Sequence, residues 1–330
     1  MPNDPPLIHG LTTGTAGFGS ADMHGLDTPE LFTNWADFER RIGAVPAVLS
    51  RMVRGFFDNG GTQAYVASTL GALEAIDEVS LLCPLPEDTD AAIAQCELRR
   101  DRVAILSLPA GLHTVDQVLA ARPPQASGYA VVHHPWVWVG GVLTPPGGHV
   151  SGIYSSGASA AATPTTGEMR GLDDPPLERL LTQQEIEMLV GAGINPLRDL
   201  RAAGRGVRVW SARTLDPDPE LRYLPVRRLL IFLETSIQRG LQWVAFEPND
   251  EALWSRVRDA VDAFLLTQQR TGALKGRTPD EAFFVRCDRT TMTQDDIDNG
   301  RLICLIGVAA VRPAEFVIFK IGQRTAIRCC

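Results

Sequence analysis

The stretch VSLLCPLPEDTDAAIAQCELRRDRVAILSL, Val79 to Leu108, holds two short apolar runs separated by a helical segment. The runs are Val79–Leu85 and Arg102–Leu108, and the segment between them is Asp90–Arg100. Continuous apolar runs of this length read as strands buried on both faces, which is the signature of a parallel sheet covered by helices. Downstream the pattern repeats, with a helix over Val115–Ala121 and a third run, GYAVVHHP, at Gly128–Pro135. Upstream, Trp35, Phe38 and Ile42 make one apolar helical face behind an Asn34 cap. Val48, Leu49, Met52, Val53, Phe56 and Phe57 make a second, stopped by Asn59-Gly60-Gly61 and followed by a short strand at Gln63–Ala67. The first half is therefore expected to be α/β with a mainly parallel sheet.

From Thr144 to Pro176 periodicity gives way to Gly, Ser, Thr and Pro, which predicts a long surface excursion that separates the domains or packs along one of them. Thr182 then caps a helix running to about Leu189, and VRVWSAR (Val207–Arg213) reads as a strand. Val226, Leu229, Leu230, Leu233 and Ile237 form a helical stripe ended by Gly240. A strand is expected at Gln242–Phe246, then a helix capped by Asn249 that carries Leu253, Val257, Val261, Phe264 and Leu265 to a stop near Gly272. Strands at Phe283–Asp288, Leu302–Val311 and Glu315–Ile321, with a short helix at Thr293–Asn299, complete a compact α+β second half.

Composition sets the class. The 330 residues are 45% hydrophobic and 21% charged, enough for a sizeable core and two domains. A formal net charge of -8 argues against a protein that coats nucleic-acid phosphates with Lys and Arg. MPNDPPLIHG has no basic segment followed by an apolar one, and no apolar run approaches the ~20 residues of a membrane-spanning helix. Neither nucleic acid nor membrane insertion is expected, and synthesis and folding are expected in a cytoplasm. Cys83, Cys96, Cys287 and Cys304 sit in apolar surroundings without CxxC spacing and read as buried reduced thiols, while Cys329-Cys330 has no evident role.

Patterns that resemble chemistry fail on inspection. Gly14, Gly17 and Gly19 run GxxGxG without a following GKT or GKS, so they read as turn glycines. In GHVSG, Ser151 stands one place off the hydrolase elbow. His133, His134 and His149 lack metal-ligand spacing, and Asp295, Asp296, Asp298 and Gly300 lack the order and closing Glu of a calcium loop. No cofactor, metal or catalytic residue is assigned.

The second half carries a specific likeness. GINPLRDLRAAGRGVRVWSARTL (Gly193–Leu215), YLPVRRLLIFLETSIQRGLQWVAFEPNDEALW (Tyr223–Trp254), GALKG (Gly272–Gly276), FFVRCD and DNGRLICLIGVAAVRPAEFVIFKIGQ (Asp298–Gln323) appear in order and at the spacing of contractile tail sheath proteins. LFTNWADFERRIG (Leu31–Gly43), VRGFFDNGGTQAYV (Val53–Val66) and PPGGHVSGIY (Pro145–Tyr154) extend the resemblance over nearly the whole chain. It resembles the sheath family shared by phage tails, pyocin-like particles and extracellular injection systems.

That resemblance implies a structural subunit, not an enzyme. It implies helically stacked rings of sheath copies around an inner tail tube protein, with baseplate and tail terminator proteins at the ends, in a virion tail or phage-tail-like particle. It further implies terminal strands laid into neighbouring subunits and a short helix facing the tube. By position that helix is Thr293–Leu302, with Arg289, Asp295, Asp298 and Arg301 as candidate contacts. The inter-subunit strand is Glu315, Phe316, Val317, Ile318, Phe319, Lys320 and Ile321. Its alternating large apolar groups would aggregate at an unpaired edge unless a neighbour accepts them or the strand completes its own sheet. The expected domains are a stub at 1–14, an outer α/β domain at 15–180 with its loop at 144–176, and an α+β sheath domain at 181–330. Only MPNDPPL stands where the family has an extended arm, and its prolines make a poor ladder strand. This leaves open a one-sided lattice link or a special ring near the baseplate or cap. An α/β enzyme is the competing reading of another class.

Overall fold

The computed structural model describes residues 6–21, 23, 25–43, 48–157, 167–311 and the backbone of 317–324. It divides into two compact units, one spanning Thr12–Arg228 and the other formed by Met1–Leu11 together with Leu229–Cys330.

The Thr12–Arg228 unit is built on a sheet that is mainly parallel. In chain order it contains β1 (Ala16–Gly19), β2 (Glu30–Phe32), α1 (Trp35–Ile42), α2 (Val48–Asp58), β3 (Ala64–Ala67), β4 (Leu81–Cys83), α3 (Thr89–Arg99), β5 (Val103–Ser107), α4 (Val115–Ala120) and β6 (Ala130–His134). It continues with the hairpin β7 (Val137–Val139) and β8 (Val142–Thr144), then α5 (Gly147–Ser155), β9 (Glu168–Met169), α6 (Gln183–Gly191), β10 (Ile194–Asp199) and β11 (Val207–Val209). The strand order is β2-β3-β1-β4-β5-β6-β10-β11-β9. Neighbours from β3 to β10 are parallel, and antiparallel pairs close both margins. Every residue of β4, β5 and β6 is buried, as their unbroken apolar runs require.

Local signals act where they were read. Asn34 accepts from the Asp37 amide at 2.8 Å to open α1, and Thr182 exchanges hydrogen bonds with Glu185 to open α6.

Three expectations are corrected in this unit. Part of the stretch predicted to be a surface excursion is α5, buried from Gly147 to Tyr154. It lies against α2 so closely that a Cβ on Gly148 would stand 2.1 Å from the Met52 carbonyl oxygen, and one on Gly152 2.4 Å from that of Phe56. Residues 158–166 of that stretch lie outside the described ones. The strand expected over Val207–Arg213 runs as a strand only to Val209; beyond it Arg213 makes an isolated bridge to Tyr223, and Asn195 accepts from the Arg213 amide and donates to its carbonyl. Finally, the unit does not end near residue 180. β10 pairs with β6 in register Ile194 to Val132, so β10 and β11 belong to this sheet and residues 181–228 to this unit.

The other unit holds the C-terminal part of α7 (Leu224–Gly240), then α8 (Glu251–Arg270), α9 (Pro279–Ala282), β12 (Phe283–Arg286), α10 (Gln294–Asp298), β13 (Arg301–Val308) and β14 (Val317–Arg324). Its sheet is antiparallel in the order β12-β13-β14. Val257, Val261, Phe264 and Leu265 of α8 are buried, as the stripe predicts. Ile8 is also buried in this unit; it leaves no room for a side chain at Gly240, and the Leu11 amide donates to the Ser236 hydroxyl. Gln242–Phe246 is a turn of 3-10 helix where a strand was expected. Asp250, not Asn249, caps α8 by accepting from the Leu253 amide at 2.9 Å.

Candidate assembly surface

The two features that the sequence singles out both lie on the β12-β13-β14 sheet and its connections. β14 pairs with β13 of its own chain along its whole length, from Val308 opposite Val317 to Arg301 opposite Arg324. It is a margin of that sheet, so its outer row of N–H and C=O groups has no ladder partner among the described residues. Glu315 and Phe316, expected to begin this strand, lie outside the described residues, as do Cys329 and Cys330; Val317, Ile318, Phe319, Lys320 and Ile321 are in the ladder.

α10 sits between β12 and β13 and is set by a capping box. Thr293 Oγ1 accepts from the Asp296 amide at 3.2 Å, and Asp296 Oδ2 accepts from the Thr293 amide at 2.9 Å. Gly300, at φ 65°, turns the chain out of the helix into β13. Arg301 then reaches back, its Nε donating to Asp296 Oδ1 at 2.8 Å and its Nη2 to Asp295. The Thr293 hydroxyl and then Arg301 hold the Asp296 carboxyl down at about 2.

The remaining candidates are likewise engaged within the chain. Gln294 donates to Asp298 at 2.8 Å, and Arg289 pairs with Glu251 at 3.1 Å while its guanidinium lies 5.7 Å from the Trp254 ring centre. Glu251, Asp295, Asp296 and Asp298 outnumber Arg289 and Arg301, so this face is acidic. Asp295 and Arg289 are exposed, at 75% and 63% of their side chains, whereas Asp296 beneath Arg301 is largely covered. The structure thus brings Asp295, Asp298 and Arg301 together on one short segment and places Arg289 beside Trp254.

One positioning role escaped the sequence, that of Asn249. Asn249 Oδ1 accepts from Trp254 Nε1 at 2.7 Å, and its amide donates to the carbonyls of Ile297 and Arg301, each at 3.4 Å. It ties the start of α8 to the end of α10. The polar residue two positions before an acidic first turn was legible, but a cap and a bridge look alike in sequence.

The patterns dismissed as chemistry occupy structural places. His133 Nε2 lies 2.8 Å from the Tyr154 hydroxyl, and the His149 ring packs on Gly55. Burial lowers the His133 imidazole to about 3 and His149 to about 4. Ser151 donates to the Gly148 carbonyl at 2.8 Å inside α5. Among the described residues no three His, Cys, Asp or Glu stand close enough to hold a metal ion, and no helix is long and apolar enough to cross a membrane.

Comparison with known proteins gives this arrangement a family. Residues 87–215 match the phage tail sheath protein central domain, and residues 216–324 match the phage tail sheath C-terminal domain. The chain belongs to the contractile tail sheath family and is a structural subunit of a contractile sheath. It is similar to the PVC sheath of an extracellular contractile injection system in the contracted state, at 29% identity and TM-score 0.84, over 98% of this chain and 95% of that one. It is also similar to the contracted helical sheath of the anti-feeding prophage, at 28% identity and TM-score 0.78 over 98% and 96% of the two chains. A sheath tail protein from Listeria innocua shares the fold at 12% identity and TM-score 0.74, over 96% of each chain. A comparison with curated proteins finds no match.

Proposed function

We propose that this chain polymerises as stacked rings around an inner tube, on a baseplate and beneath a terminator, and contracts to drive the tube through a target envelope. The observation that carries this reading is the margin of β14, whose outer row has no ladder partner among the described residues. A terminal strand with an open row of backbone donors and acceptors continues its sheet into a neighbour, or passes into the neighbour's sheet. Either exchange keeps copies linked while their packed faces slide past one another. In this reading α10, with Arg289, Asp295, Asp298 and Arg301, faces the tube, and the Thr12–Arg228 unit lies outward. Assembly takes place in the bacterial cytoplasm, and the particle is an extracellular injection system; the likenesses near 28% identity favour this over a phage tail.

The test is removal of Glu315–Cys330. The shortened chain is expected to be soluble or loosely associated, with its Thr12–Arg228 unit still folded, but to form no cylinders in electron micrographs, alone or with tube. Cylinders that still form and contract would retire the strand's role.

A second reading, a ring confined to the baseplate end, is favoured by likeness to a chain of the anti-feeding prophage baseplate at 27% identity and TM-score 0.77, over 97% of this chain and 96% of that one. Antibody labelling separates the two, decorating the whole particle length in the first and one end in the second.

A further inference from the structure

Cys287 and Cys304 stand opposite each other where β12 meets β13. The ladder sets Phe283 against Val308, Val285 against Ile306 and Arg286 against Leu305. One further step along the same antiparallel alignment sets Cys287 against Cys304. Directly opposed residues in such a pair share a face, and burial agrees. Leu302, Cys304, Ile306 and Val308 on β13 are buried, and so are Phe283 and Cys287 across from them. Both cysteines are free thiols, 1% and 0% exposed. They also sense each other: hydrogen bonding with Cys287, ahead of burial, pushes the Cys304 thiol up.

We propose that Cys287 and Cys304 are a redox-modification site that closes to a cross-strand disulfide on meeting an oxidant of the low-molecular-weight disulfide class. Opposed residues of an antiparallel pair have Cα atoms about 4.5–5.5 Å apart, inside the span a disulfide requires. The order of events follows from position. Cys287 stands just past the last ladder residue of a marginal strand, whereas Cys304 lies within the central one. Local opening therefore presents Cys287 first. Its thiolate attacks the oxidant's disulfide, forming a mixed disulfide and releasing one small thiol. Cys304 then gives up its proton and attacks the Cys287 sulfur, which forms the cross-strand bond and releases the second small thiol. Two protein thiols are oxidised, one small disulfide is reduced to two thiols, and the two protons leave with them.

The closed loop would hold residues 288–303, which include α10, Arg289, Asp295, Asp298 and Arg301. Oxidation would pin both ends of that segment. This consequence rests on the proposed tube-facing role of α10; the bond itself does not. Cys83 and Cys96 are not ladder partners, one lying on β4 and the other in α3, and burial pushes the Cys83 thiol up to about 12.

The experiment uses the full chain with Cys329→Ser and Cys330→Ser, incubated with oxidised glutathione, then denatured and alkylated with N-ethylmaleimide. The expected result is the loss of two hydrogens in mass and of two alkylated cysteines, a linked peptide joining Cys287 to Cys304, and full reversal by reductant. Adding Cys287→Ser should abolish the loss. Retention of every alkylatable thiol, a stable glutathione adduct, or a linked peptide joining any other pair would overturn the proposal. Tube binding is scored separately on the oxidised protein. If the bond forms and binding is unaltered, the role of α10 fails and the redox site stands.

Discussion

The His149 ring fills the space beside Gly55: a Cβ on that glycine would lie 2.3 Å from both Cε1 and Nδ1 of the imidazole. With Gly148 and Gly152 it makes α2 and α5 a pair whose backbones approach as closely as glycine allows.

Gly148→Ala should therefore destabilise the Thr12–Arg228 unit by about 1–3 kcal/mol or more, because the added methyl meets the Met52 carbonyl, which cannot step aside. Gly191→Ala, at the end of α6 with nothing within 4 Å, is the control and should be neutral or slightly stabilising. Urea midpoints of the two variants decide the matter, and equal midpoints would count against the close pairing.

Acid should weaken the same unit through its buried imidazoles. His133 and His149 ionise at about 3 and about 4 when folded because burial disfavours their charged forms, against 6.5 ordinarily. Below about pH 6.5 the unfolded chain binds protons that the folded unit refuses, so stability is full above that pH and falls as pH drops toward 4. Each histidine contributes a slope of at most ~1.4 kcal/mol per pH unit. Denaturation measured from pH 7.5 to 4.5 should show this slope, and His149→Gln should make it shallower.

Asn249→Ala should cost about 1–3 kcal/mol, since it strips the Trp254 indole of its acceptor and the ends of α10 of a donor. Asn249→Asp keeps the acceptor while removing the donor, and should show an intermediate loss. Chemical denaturation followed by Trp fluorescence reads both.

Asp295→Lys combined with Asp298→Lys should alter monomer stability by less than about 1 kcal/mol, because the pairs it breaks are exposed. Binding to the tube, measured by co-sedimentation, should be lost. Unchanged binding and unchanged sheath length would remove α10 from the tube-facing role.

What the sequence revealed depended on whether a signal was local. Caps at Asn34, Thr182 and Thr293 act within three residues, and the apolar runs of β4, β5 and β6 declare burial directly, so these elements stand where they were read. α5 was hidden because GGHVSGIYS has poor helical propensity; its helix exists because α2 lies against it. Arg227 and Arg228 interrupt the apolar stripe of α7, and both are buried. One lies over the Tyr129 ring, and the other donates to the Tyr154 carbonyl at 2.6 Å. Of the proposed site, the charged residues were visible and their mutual pairing was not, since Arg301 reaches backward to Asp295 and Asp296 only once Gly300 has reversed the chain.

The bond between the Leu11 amide and the Ser236 hydroxyl spans 225 residues of chain, and everything between them through Arg228 forms the other unit. A ribosome therefore releases one unit as an uninterrupted stretch that can complete itself during synthesis. The unit that holds β14 has to wait: Ile8 and Leu11 precede the other unit in the chain and must meet Gly240 and Ser236, which follow it, a loop closure whose entropic cost falls most easily once the intervening chain has already condensed. The surface proposed to join copies would thus mature only after the Thr12–Arg228 unit has condensed, so that polymerisation awaits both units.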